Sequence, residues 1–268
     1  MKKRDWFIVA IIVLLAIGTF VYFDRVQILE FAREQKREVL PEAMGYEEVE
    51  TKTIPVSTKP AATKTTQPSV SVKKIAEELN LAVPFTSQAP TGNWAEPYQD
   101  SCEEASVLMA HEYYAGNKSK VIDPVSAETS LQEIVALENK LFGYYIDTTA
   151  AQTAQFAEKE YGYAKSELIL NPTVIQIKEY LNKGEPVLVP AAAQLLKNPY
   201  FTPPGPVYHM LVIRGYTKDN KFITNDPGTK HGEAYLYSFD TILNAMHDWD
   251  AKDILSGKKV ILILHPKK

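Results

Sequence analysis

One cysteine in 268 residues, Cys102, leaves no partner for an intrachain disulfide and too few thiolates for a multi-cysteine zinc or iron–sulfur site. Glycine is sparse, at 12 residues, and no glycine-rich phosphate loop occurs, which removes the nucleotide-binding folds built around one. The five histidines are scattered with no HExxH-like spacing, so no metal site is indicated and no cofactor is expected. Basic residues are outnumbered, 29 Lys and Arg against 33 Asp and Glu, so the cationic surface that phosphate contacts require is missing and nucleic acid is not an expected partner. There is no internal repeat, and nothing indicates an obligate oligomer. What is present, 45% hydrophobic residues including 15 Tyr, suffices for one full-sized catalytic domain with appendages or for two small domains.

The apolar residues are not spread evenly. Residues 6–23, WFIVAIIVLLAIGTFVYF, contain no charge, and as a helix they would span roughly 27 Å, close to the hydrocarbon thickness of a bilayer. Lys2, Lys3 and Arg4 precede them, which predicts a cytoplasmic N-terminus (1–5), a signal-anchor helix (6–23) and export of everything beyond. No small-x-small cleavage pattern follows, so an uncleaved anchor is preferred to a removed signal peptide. The expected localisation is the cell membrane, single-pass, with the C-terminal part extracytoplasmic. A juxtamembrane amphipathic helix is expected over 24–42 and a Thr/Lys/Pro-rich linker over 43–78. Within the linker, 51–72 holds three prolines and no acid, aromatic or glycine, so it cannot bury enough surface to order itself. One domain remains, 79–268.

In that domain the early segments read as helices: one opening at Cys102 and stopped by Gly116-Asn117, then about 126–140, 148–160 and 173–183. The later segments read as strands: 186–190, 209–216 and 221–226 separated by Thr217-Lys-Asp-Asn220, then 234–239 and 259–265. Helices first and strands later is the order of an α+β domain with helices packed on an antiparallel sheet.

Cys102 at a helix N-terminus feels the positive end of the helix dipole, which favours thiolate, while Glu103 and Glu104 oppose it. Among the histidines, His209 starts an apolar strand, and Asp226 ends the next strand of the hairpin. The two side chains therefore emerge at the same end of the pair, where a carboxylate can orient an imidazole towards a thiol. A lone Cys with His and Asp far downstream is a candidate nucleophile with its base and orienting carboxylate.

The order VPFTSQAP, DSCEEAS, GEPVLVP, YHMLVIRGY, FITNDPG resembles cysteine peptidase family 39, the bacteriocin-processing-peptidase-like members of the papain clan, here as a membrane-anchored stand-alone chain. The resemblance covers roughly 83–265. It implies a papain-like fold, a bacterial cysteine peptidase, a peptide or protein substrate, and a Cys102, His209, Asp226 triad. It also implies an oxyanion-hole glutamine, Gln88 by its Val-Pro-Phe context or alternatively Gln99. Glu103 stands where a small residue is usual, and the ABC-transporter domains of bacteriocin-processing members are absent, so leader processing during export is not implied. The same triad would serve an acyl or peptidyl transferase or a cell-wall cross-link endopeptidase. A tethered binding module with a degenerate site is the non-enzymatic alternative.

Overall fold

Strand β4 (Tyr208–Tyr216) is buried at every position, which requires cover on both faces and a neighbour on both edges. β3 (Val187–Ala192) runs along one edge, Val187 opposite Ile213 and Ala192 opposite Tyr208. β5 (Lys221–Asn225) runs along the other, from Val212 opposite Asn225 to Tyr216 opposite Phe222. The protein is described by a computed structural model over residues 38–52, 75–163 and 165–266. Within these residues, β2 (Lys165–Leu170), β6 (Tyr235–Ser238) and β7 (Val260–His265) extend the sheet to the order β2-β7-β3-β4-β5-β6, antiparallel throughout. β1 (Leu79–Asn80) takes the edge of β4 that β3 leaves, with Asn80 opposite Gly215. Only glycine fits there, because a Cβ on Gly215 would lie 2.2 Å from the Leu79 carbonyl oxygen.

Four helices follow the expected segments and differ at their starts for reasons of capping. α2 (Cys102–Tyr114) begins at the cysteine, as expected. α3 (Pro124–Phe142) starts two residues before the expected 126, because Asp123 accepts from Ser126 N–H and Pro124 fills the first turn. α4 (Ala150–Tyr161) and α5 (Val174–Asn182) start after Thr149 and Thr173, each in a capping box with a glutamine, Gln152 and Gln176. Two shorter helices, α6 (Ala193–Leu196) and α7 (Phe239–Ala245), sit beside the sheet. α2 is buried from Cys102 to Ala110 on all sides, since β4 lies against one face and α3 and α4 against others. It is a central helix and not the one-sided one that its Ala105, Leu108, Met109 and Tyr113 stripe suggests.

Residues 41–52 correct the expected linker boundary of 43–78. Met44 N–H donates to Asn80 O and Ala82 N–H to Met44 O, while Asn80 Nδ2 donates to Pro41 O. Helix α1 (Tyr46–Lys52) follows, with Val49 buried against Gly184 and the Tyr46 ring edge-on to Tyr113 and Tyr114. Residues 41–52 therefore belong to the same compact unit as the sheet. The expected cytoplasmic segment, membrane anchor, most of the juxtamembrane helix and the Thr/Pro-rich stretch lie outside the described residues. Among the described residues no helix is long and apolar enough to cross a membrane.

Candidate active site

The hairpin of β4 and β5 brings His209 and Asp226 together, as the two strand ends predict. His209 Nε2 lies 2.7 Å from Asp226 Oδ1, with both side chains buried. The Asp226 carboxylate is satisfied on every side: Gly228 N–H donates to Oδ1 at 3.1 Å, and Tyr237 Oη (2.6 Å) and Asn198 Nδ2 (3.0 Å) donate to Oδ2. Burial alone would push this carboxyl up, but His209, Tyr237 and Asn198 outweigh it and hold Asp226 below the usual carboxylate range. Asn225, beside it, fastens the chain ahead of Cys102 to the sheet: its Nδ2 donates to Val83 O (3.0 Å) and Pro84 O (3.2 Å). Buried Arg214 binds the same stretch through Leu81 O at 2.7 Å, and losing water lowers its guanidinium to about 10.

The thiol meets this pair through the main chain. Met210 N–H, one residue beyond His209, donates to Cys102 Sγ at 3.3 Å. Cys102 Sγ–H donates in turn to Glu103 Oε2 at 2.9 Å, and Glu103 Oε1 accepts from Thr148 N–H at 2.9 Å. Thr148 O receives the Tyr208 hydroxyl at 3.0 Å, so Glu103 and Tyr208 hold the N–H and the C=O of one residue, Thr148, just before α4. Of the opposed influences expected on the thiol, those that raise it prevail here. Burial first, then the Glu103 and Glu104 charges, push Cys102 well above its usual value, against the single Met210 N–H. Glu103 is itself raised well above the usual carboxylate range by burial and by Glu104.

Gln88 and Gln99 are placed differently. Ser87 Oγ and Gln88 N–H both donate to Pro227 O, which docks this segment on the Asp226 turn. The buried Gln88 side chain donates Nε2 to Tyr98 O at 3.0 Å and to Gln99 O at 2.6 Å, just before Cys102, and its Oε1 has no partner. The Gln99 side chain is exposed. The remaining histidines are engaged elsewhere. His111 stacks on Tyr161 at 3.7 Å, His231 on Tyr200 at 4.4 Å, His247 Nδ1 meets Gly257 O, and His265 lies between Glu185 and Glu167. Among the described residues no group of three or more His, Cys, Asp or Glu side chains is placed to hold a metal ion.

No local pattern singles out Asn198, Tyr237 or the reach of Glu103. Alternation in Ala234–Phe239 puts Tyr235 and Tyr237 on one face, but nothing local ties that face to Asp226.

A family model described as the Peptidase_C39 like family matches residues 80–252, which takes in Gln88, Cys102, His209 and Asp226. The chain belongs to this family. Among solved structures, this Peptidase_C39-like chain is similar to a putative C39-like peptidase from Bacillus anthracis, with 16% identity over 72% of this chain and 100% of the other and a TM-score of 0.47. It is also similar to a mutant fragment of prointerpain A from Prevotella intermedia, with 16% identity over 83% and 82% of the two chains and a TM-score of 0.47. No curated protein sequence matches significantly.

Proposed function

We propose that this Peptidase_C39-like protein is a membrane-tethered, extracytoplasmic cysteine peptidase of papain-like type that hydrolyses peptide bonds through Cys102, His209 and Asp226. The observation that carries the reading is the buried His209–Asp226 pair at 2.7 Å, with the thiol bonded to the very next main-chain N–H. His209 takes the thiol proton, and the Cys102 thiolate attacks the substrate carbonyl carbon and forms a tetrahedral oxyanion. His209 then returns the proton to the leaving amine as the C–N bond breaks. Water, deprotonated by His209, releases the acid from the thioester. The Cys102 N–H at the start of α2 and Gln88 Nε2 stabilise the oxyanion, which requires Gln88 to exchange one of its two carbonyl acceptors for substrate. Gln88 is preferred to Gln99 because its amide is buried and bonded to the Tyr98 and Gln99 carbonyls shortly before Cys102, whereas the Gln99 side chain is exposed.

Glu103 decides the pH at which this works. Protonated, it can turn the 2.9 Å contact into an O–H donor to the thiolate; ionised, it opposes thiolate formation. Because its carboxyl is raised, the favourable form extends upward from the acid range.

The same contact, with both Gln88 protons engaged, favours a second reading, a binding module that keeps the fold without turnover. Iodoacetamide labelling of the full-length chain from pH 4 to 9, with cleavage of an unfolded protein such as casein, separates the two. Catalysis requires rapid alkylation below pH 7 that disappears in His209→Ala, and casein turnover abolished by several orders of magnitude in Cys102→Ala or His209→Ala. A thiol that reacts only in denaturant, or only near its ordinary pKa, establishes the binding module instead.

A further inference from the structure

Asp226 Oδ1 serves the imidazole; Oδ2 faces away from it, into a buried space where an unpaired carboxylate oxygen would be costly. Two residues from elsewhere in the chain fill that space. Tyr237 arrives on β6, placed by its register opposite Phe222, and Asn198 arrives on the segment between α6 and β4. Their protons balance without remainder. The Tyr237 hydroxyl donates to Asp226 Oδ2, and the two Asn198 Nδ2 protons go to Asp226 Oδ2 and, at 2.7 Å, to the Tyr237 oxygen. Asn198 Oδ1 accepts from Tyr200 N–H at 3.0 Å, which fixes which end of the amide faces the carboxylate.

Asn198 also shapes what covers the imidazole. Its carbonyl accepts from Phe201 N–H at 3.2 Å, and the turn so formed sets the Phe201 ring edge-on to His209, centroids 5.4 Å apart at 78°. One side chain thus holds the carboxylate behind the imidazole, and its own backbone positions the aromatic against it.

We propose that Asn198 and Tyr237 are positioning residues for the reaction, fixing the rotation of the Asp226 carboxylate and so the plane in which His209 meets Cys102. The inference rests on the peptidase reading above. A carboxylate held by His209 and the Gly228 N–H alone could rotate about its own axis, and the imidazole would follow it.

Because Cys102 is the one cysteine in the chain, the mass increase on alkylation reports this thiol alone. The test is the pH profile of iodoacetamide alkylation of the full-length chain in Tyr237→Phe, which keeps the ring, and Asn198→Asp, which keeps the shape but replaces both donor protons by an acceptor. Each substitution should slow alkylation at pH 6 by roughly tenfold, the effect of one lost hydrogen bond to a charged group. The rate at pH 9, where hydroxide can take the thiol proton without the help of the imidazole, should stay within about twofold of the native protein. Profiles that superimpose on the native one in both variants overturn the proposal and leave the peptidase reading intact. Faster alkylation at every pH, the mark of a thiol exposed by unfolding, overturns it too, since the two residues would then serve only stability. A native protein without an advantage below pH 7 removes the peptidase reading first, and the positioning role with it.

Discussion

Gly228 lies where the His209 and Phe201 rings converge. A Cβ there would stand 2.9 Å from His209 Cε1 and 2.9 Å from Phe201 Cε1, closer than carbon atoms approach without displacement. His209 is pinned by Asp226, so the added methyl of Gly228→Ala must move either the imidazole or the aromatic cover. Displacements of this order at a reacting group cost roughly tenfold to a hundredfold in rate. The stability loss should be that of ordinary overpacking, about 1–3 kcal/mol. Casein cleavage and thermal melts check both; a Gly228→Ala protein of native activity would show that Phe201 yields and that its contact with His209 is incidental. At this scale the sequence located the helix start at Cys102 and the hairpin that joins His209 to Asp226, because a cap position and two strand ends are local patterns. It was silent about Asn198 and Tyr237, which approach Asp226 from 28 and 11 residues away.

Between elements, the notable contact is acid on acid. Glu104 of α2 faces Glu138 of α3, both fully buried, and among the described residues no donor makes a well-formed hydrogen bond to any of the four carboxyl oxygens, the Thr148 side chain alone coming near Glu138. One carboxyl must keep a proton and share it with the other, and burial accordingly raises Glu138 from 4.5 to about 8 and Glu104 well above its usual range. Between about 4.5 and about 8 the folded protein holds a proton that the unfolded chain has released. The Glu138 contribution to stability is therefore full in acid and falls by about 1.4 kcal/mol per pH unit as pH rises towards about 8, and Glu104, also raised, adds a slope of the same sign. Glu103, raised likewise, and Asp100, raised to about 6, face the same region and add slopes of the same sign. In Glu138→Gln the amide donates permanently to Glu104, so urea midpoints from pH 5 to 9 should decline less steeply than in the native protein; equal slopes would mean that no proton is shared. Element prediction failed most plainly at β2. Lys165–Leu170 shows no alternation and exposes Leu168 and Leu170, because it is an edge strand specified by its pairing with β7.

For the molecule as a whole, the proposal places a peptidase outside the membrane on an N-terminal tether. Deleting residues 1–23 should move the protein from the membrane fraction to the soluble fraction and leave casein cleavage unchanged; a full-length chain that is already soluble would sink the tether and spare the catalysis. Residues 41–52 show where composition misleads about domain limits. Their polar sequence YEEVETK offers little apolar surface, yet Met44 joins the sheet edge through Asn80 and Ala82, and Val49 is buried against Gly184. By itself the sequence determined the α+β order, the helix opening at Cys102, the hairpin that joins His209 to Asp226 and the absence of a disulfide framework. Each of these follows from periodicity, capping or composition within a few tens of residues. Only the tertiary structure decided the upward push on the thiol, the engagement of Gln88, the two donors behind Asp226 and the meeting of Glu104 with Glu138. Those depend on burial and on which distant chain segments supply the surrounding charges and hydrogen bonds, and no local pattern encodes either.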